Sequence, residues 1–480
     1  MVKIVVSEVT FKTKKDQPCV KIPKKRLNAS VERFRQRFGD QPARAIEAVL
    51  PGALIKRVLA EEVVAYRERL YPPLTTLGLF IGQAMSPDGA CQDAVARHLA
   101  ERTATALPGC SLSSGPYCKA RKRLPLNLIT RLAKVVGDTL ENACPKEWKW
   151  RGRSVKLIDG TTVSMPDTPD NQKVYPQSRA QQEGLGFPQA LLVAVISLST
   201  GAVLRWASGP CRGKETGETA LLRRLMPELT EGEVVLADRY HCNYFTAALL
   251  MERGVDLVTR QHQRRHTDFR RGKRLGKGDQ LVDWLRPPRP EWMVPDLYAR
   301  MPERLAMRQT KVAGRVLVTT LTDARLIPPL ELDHLYRRRW QVEVDLRSIK
   351  TVMGMDILRA KSAAMIDKEI AVHLLAYNLV CALITRAAAA ARVTARRLSF
   401  KGALQLLQAF QAQWRFASRA SLRTMTAILL GAISRLRLPH RPRRVEPRAI
   451  KRRPKNHPLL TLPRQAARDK ILLERLCRTP

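Results

Sequence analysis

The chain has 480 residues, with 85 Lys plus Arg against 43 Asp plus Glu and a formal net charge of +42. That length excludes a small stapled scaffold and predicts several domains, at least one with a sizeable core. A positive excess spread along the whole sequence calls for a polyanionic partner, and nucleic acid is the first candidate, because each phosphate neutralised by Lys or Arg releases condensed counterions; an anionic membrane surface is the plainer rival.

Residues 1–145 read as a mainly helical DNA-binding region after a basic start. Lys12, Lys14, Lys15 and Asp16 follow the strand-like opening MVKIVV too closely for a signal peptide, so a cytoplasmic, soluble protein is expected. Ala45, Ile46, Val49, Leu50, Leu54, Val58 and Leu59 recur with a helical period. Residues 111–125 join a turn to a basic helix start, which suits docking on a DNA backbone or an ordinary solvated face. Near residue 154 the pattern changes. Apolar runs rich in β-branched residues at 155–158, 190–198, 202–207, 234–237 and 257–259 alternate with helix candidates at 216–226 and 243–253. They predict an α/β sheet domain over 150–395.

The uncharged stretch 187–204 is interrupted by Ser197, Ser199, Thr200 and Gly201, and so predicts two strands around a turn, not a membrane span. A β-rich insertion is expected at about 260–325; it opens on Arg260, Arg264, Arg265, Arg270, Arg271, Lys273, Arg274 and Lys277 against Asp268 alone, and carries Trp284 and Trp292. Long helices follow over 332–353 and 367–391, where the apolar run 371–385 is shorter than the roughly 20 residues of a spanning helix. A helical C-terminal region (396–436) and a basic tail (437–480) complete the chain, and no membrane partner is expected. The nine cysteines are scattered, with no pair at CxxC spacing, and read as reduced residues outside any disulfide framework or zinc site.

Three carboxylates carry candidate chemistry. Placed at about 100° per residue on one continuous helix, Tyr336, Arg339, Glu343, Arg347 and Lys350 share an arc of about 80°. Leu335, Val342, Leu346, Ile349 and Met353 form the neighbouring apolar stripe. Asp159 ends the strand-like run Val-Lys-Leu-Ile-Asp, and Asp238, followed by Arg239 and Tyr240, ends Val-Val-Leu-Ala-Asp in the same way. An acid closing a buried strand is held rigidly at a sheet edge; the plainer alternatives are turn or cap residues and an ordinary i,i+4 helix pair.

Taken together, these segments resemble the DDE transposases of family four of bacterial insertion sequences. Tyr336, two residues, Arg339, three residues, Glu343, six residues and Lys350 match that family's Tyr-Arg-Glu-Lys signature, and Asp159-Gly-Thr-Thr-Val and Leu-Ala-Asp238-Arg-Tyr match its two aspartate motifs. The resemblance covers roughly 30–435. It implies an RNase H-like catalytic domain, a mixed sheet with flanking helices and a β-rich insertion, with mainly helical regions on either side. It implies Asp159, Asp238 and Glu343 as catalytic residues holding two Mg²⁺ ions, with Mn²⁺ accepted. The first two acids are 79 residues apart and the second and third 105, which leaves room for the insertion only in the second interval. Tyr336, Arg339, Arg347, Lys350, Trp340 and Arg239 are implied DNA contacts, and a homodimer on terminal repeats and target DNA is the implied assembly. Members can flip a base and form a DNA hairpin, for which Trp340, Trp284 and Trp292 are candidate platforms. A catalytically silent DNA-binding descendant and an RNase H-like nuclease without strand transfer are the rival readings.

Overall fold

In a computed structural model of the protein, the described residues are 24–36, 49–63, 66, 69–104, 106–414, 419–439 and 458–476. The opening MVKIVV, Ala45, Ile46 and the basic run from Arg441 to Lys455 lie outside them.

Among the described residues six α-helices precede the sheet: α1 (Lys24–Gln36), α2 (Gly52–Glu62), α3 (Pro73–Met85), α4 (Cys91–Ala104), α5 (Gly115–Arg123) and α6 (Leu126–Asn142). Proline opens α3 at its first position, where no backbone N–H is needed. Along α6, Leu128, Ile129, Leu132, Ala133, Val136 and Leu140 are buried at helical spacing and give one apolar face. That face lies very close to the sheet: a Cβ at Gly137 would come within 2.6 Å of the Val203 carbonyl oxygen.

Among the described residues the sheet has nine strands: β1 (Val155–Ser164), β2 (Gln189–Ser197), β3 (Val203–Pro210), β4 (Val234–Leu236), β5 (Asp256–Arg260), β6 (Lys273–Gly276), β7 (Asp279–Leu285), β8 (Arg304–Val312) and β9 (Arg315–Thr319). Their order is β3-β2-β1-β4-β5-β9-β8-β7-β6. β1, β2 and β3 pair antiparallel, whereas β4 and β5 run parallel to β1. Those five strands make the RNase H-like arrangement. Short helices α7 (Pro169–Val174), α8 (Glu218–Leu225), α9 (Tyr244–Glu252) and α10 (Pro295–Arg300) sit in the connections. The segment expected as an insertion adds β6 to β9 to the same sheet, because β9 pairs antiparallel with β5. Its anchor is polar: Arg308, wholly buried, makes two bonds to Asp279 at 2.9 and 2.6 Å and one to the Ile327 carbonyl.

Strand alternation gives the sheet a core on each face. Val155, Leu157, Leu192, Ala194 and Leu236 face the larger core, shared with α1 to α3, α6 and the C-terminal helices. Ile158, Val193, Val195 and Val235 face a smaller core completed by α8, α9 and Trp284, Leu305 and Met307.

After the sheet come α11 (Pro329–Arg337), α12 (Gln341–Arg347), α13 (Ala363–Ala390), α14 (Phe400–Trp414), α15 (Arg419–Arg435) and α16 (Arg464–Leu476). α13 is long and apolar enough to cross a membrane, yet 89% of its apolar window is buried within the protein, so it is a core helix. It carries Asn378, whose side chain accepts from the Val203 N–H and donates to the carbonyls of Val203 and Ala133.

Two local expectations are corrected. Asp159 does not end its strand: β1 continues to Ser164 because residues 156–164 pair throughout with β2. What ends near Asp159 is the pairing with β4, which stops at Leu157 and Leu236. Nor is 332–353 one α-helix. A 3-10 turn at Arg338–Trp340 separates α11 from α12, and a π-turn at Ser348–Val352 follows α12. Tertiary contacts override the regular repeat. Val342, Leu346, Ile349 and Met353 are all held in the core, while buried Asp345 is pinned by Arg396 at 2.6 Å and by the Tyr377 hydroxyl at 3.2 Å.

Candidate active site

The parallel register of β1 and β4 pairs Val155 with Val234 and Leu157 with Leu236. Continued two residues further, it sets Asp159 opposite Asp238, on the same face of the sheet. At that level the two backbones have stopped pairing, which leaves a notch at the sheet's edge. Asp238 turns there: it caps the 3-10 turn Arg239–His241, its carboxylate accepting from the Tyr240 N–H at 2.9 Å. Asp159 accepts from the Gly160 N–H at 2.9 Å.

α12 crosses the face that carries both aspartates and brings Glu343. Arg339 joins the groups. Its guanidinium donates to Glu343 at 2.7 Å and lies 3.5 Å from Asp159. One cation therefore bridges two acids that are 184 residues apart in the chain. Beside it opens a cavity of about 800 Å³ lined by Asp238, Arg239, Arg260, Arg315, Tyr336, Arg339, Trp340 and Glu343, together with Ala313 and Gly314. Four of those side chains are arginines against two acids, Asp238 and Glu343, so the lining is net positive; Asp159 is reached through Arg339 and does not itself line the cavity.

Electrostatics mark Asp159 as a carboxyl short of positive charge. Burial pushes it up to about 6 despite the pull of Arg339, and the charges of Glu218 and Asp238 push the same way. Burial likewise raises the Tyr336 phenol. Among the described residues no three of His, Cys, Asp and Glu stand close enough together to hold one ion. The donor chemistry fits a hard divalent cation nonetheless, since all three acids offer carboxylate oxygens and the space between two of them is already held by a positive group.

Of the residues expected to contact DNA, Tyr336, Arg339, Trp340 and Arg239 line this cavity. Arg239 also donates to Gln263 at 2.9 Å. Arg347 and Lys350 do not line it: Arg347 borders a separate hollow of about 270 Å³ with Asp345, Tyr377 and Arg396, and Lys350 lies within the π-turn. The tryptophans separate clearly. Trp340 is 53% exposed, whereas Trp284 is buried beneath Arg265 and Trp292 is half-buried against Arg223, edge-on to Phe245. Sequence reasoning missed Arg315 at the cavity and Glu218 beside Asp159. Neither stands in a pattern; Glu218 reads as an ordinary acid in the first turn of a helix.

Comparison with known proteins bears on the family. Residues 150–379 match the family model described as "Transposase DDE domain". The chain is 27% identical over 429 residues to the transposase InsG of insertion sequence element IS4 from Escherichia coli (strain K12), an alignment covering 87% of this chain and 94% of that protein. Among solved structures, the piggyBac transposase in its synaptic complex with hairpin DNA aligns with a TM-score of 0.41 and 11% identity, over 84% of this chain and 85% of that one. With the family match spanning all nine strands, α12 and most of α13, the chain belongs to the DDE transposases of the IS4 insertion-sequence family.

Proposed function

We propose that Asp159, Asp238 and Glu343 are the catalytic acids of this transposase and hold two Mg²⁺ ions, which Mn²⁺ can replace. The observation that carries the reading is Arg339, a single guanidinium in contact with Asp159 and Glu343 at the wall of a cavity that also contains Asp238. Held by those three carboxylates, divalent ions would supply activation of the attacking water or 3′-hydroxyl and charge stabilisation of the leaving oxygen of an in-line displacement. The chain's own part is to orient and to neutralise. Arg239, Arg260 and Arg315 receive the backbone phosphates on either side of the cut, and Arg339 transfers its hold from the acids to the scissile phosphate when the site fills. Trp340 offers its exposed face to a base leaving the stack. Lys350 contributes a further phosphate contact from the π-turn.

The substrate in this reading is the pair of terminal repeats of the element, cut and then joined to target DNA by a homodimer, with the bacterial nucleoid as the place of action. The test is incubation of the purified protein with a duplex carrying the repeats that flank its own gene, in Mg²⁺ or Mn²⁺, with products resolved by strand. Wild type should nick and then join. Asp159→Ala, Asp238→Ala and Glu343→Ala should each lose cleavage by at least about a thousandfold while still retarding the duplex in a gel, because a lost metal ligand leaves the basic surface intact. Cleavage without joining would instead identify a nuclease, and binding without cleavage by wild type a silent descendant.

A further inference from the structure

Glu218 opens α8 and has no part in the reading above, yet its carboxyl touches both aspartate-bearing segments. Its Oε1 accepts from Nε2 of His241 at 3.0 Å. On the other side it fills the space that a side chain at residue 160 would need: a Cβ at Gly160 would come within 2.7 Å of the Glu218 Cδ. Gly160 is the neighbour of Asp159, and His241 closes the turn that Asp238 caps. His241 is wholly buried and its Nδ1 has no partner, so the bond to Glu218 is the ring's hold on its orientation. Glu218 is in turn carried on a fixed support, because Leu221, Leu222 and Leu225 of α8 are buried in the smaller core.

A hold of this kind is needed at this level of the sheet. The ladder between β1 and β4 stops at Leu157 and Leu236, two residues short of the aspartates. On its β5 side the turn is tied by the Thr259 hydroxyl, which donates to the Asp238 carbonyl at 2.6 Å. On its β1 side the tie runs through Glu218.

We infer that Glu218 and His241 are a positioning pair that sets the separation of Asp159 and Asp238, with Gly160 glycine because the Glu218 carboxyl occupies its side-chain space. The inference rests on the assignment of the two aspartates as metal ligands. Glu218 acts through its neighbours and is not itself a ligand.

The test is a Mn²⁺ titration of the full-length protein followed by electron paramagnetic resonance, alongside circular dichroism and the Mn²⁺ dependence of nicking. Glu218→Ala should weaken Mn²⁺ binding by about tenfold or more, the usual effect of losing a group that orients a ligand. Glu218→Gln keeps an acceptor for His241 Nε2–H and should bind close to wild type. Nicking by the Ala variant should need correspondingly more Mn²⁺ and recover most of its maximal rate at saturation. Gly160→Ala displaces only the end of the Glu218 side chain and should weaken binding in the same direction, which keeps the inference testable if Glu218→Ala unfolds. Wild-type binding by Glu218→Ala and Gly160→Ala would overturn it. So would equal losses in the Gln and Ala variants, since the charge itself would then be acting at the metal. An Asp159→Ala control that still binds Mn²⁺ like wild type would overturn the ligand assignment itself, and this inference with it.

Discussion

Asp159 shows what the candidate site costs the fold. Its carboxyl titrates near 6 in the folded protein against an ordinary value of 3.8, chiefly because it is buried. The folded chain therefore retains a proton that the unfolded chain releases between those values. Stability falls as pH rises through that window, and the charged form costs on the order of 3 kcal/mol above it. Asp159→Asn should then raise the melting temperature of the metal-free protein at about pH 7.5, with the gain shrinking towards about pH 4, while abolishing cleavage. Melts followed by circular dichroism at the two pH values check this, and a destabilised variant at the higher pH would count against it. Asp238 and Glu343 were legible in the sequence because each belongs to a spaced signature. Glu218 was not, because its importance lies in touching Gly160 and His241, which come from other strands and turns.

The strands β1, β2, β4 and β5 were legible as apolar runs because they contribute residues to the cores on both faces of the sheet, whereas β3 is half-buried along most of its length. β7 and β8 were hidden by their polar content; β8 reads Arg-Leu-Ala-Met-Arg-Gln-Thr-Lys-Val, and its central arginine is buried with its charge held by Asp279, two residues along on the neighbouring strand from its ladder partner Leu281. Arg308→Ala should strand that carboxylate and destabilise the protein by about 3–5 kcal/mol, measurable as a lowered urea midpoint. The signature helix was legible as to residues but not as to shape, since a regular wheel cannot register a 3-10 turn before Glu343 and a π-turn around Lys350. Arg347 consequently borders the hollow beside Asp345 and Arg396 instead of the acids. The Asp345–Arg396 pair ties α12 to the segment before α14, so Arg396→Ala should cost a similar amount and also slow cleavage, by letting Glu343 turn away from the aspartates of β1 and the β4 end. Normal cleavage in that variant would show that the core stripe alone fixes the helix.

The net charge of +42 was the earliest pointer to DNA, and it says nothing about where DNA lies. The cavity supplies that direction. Arg260→Ala and Arg315→Ala should each weaken binding of the element end and reduce the slope of log affinity against log salt by about one, whereas a cationic residue away from the path should leave the slope alone. Below that surface a buried amide links three elements: Asn378 joins α13 to α6 and β3, and Asn378→Leu would leave the Val203 N–H without its acceptor, a loss of about 1–3 kcal/mol readable in thermal melts. The most direct measurement is anomalous diffraction from crystals of the protein on its terminal repeat, soaked in Mn²⁺. The account predicts manganese bonded to oxygens of Asp159, Asp238 and Glu343, with the Arg339 guanidinium withdrawn from Asp159 onto a DNA phosphate. Manganese bound elsewhere, with Arg339 still bridging Asp159 and Glu343, would contradict it.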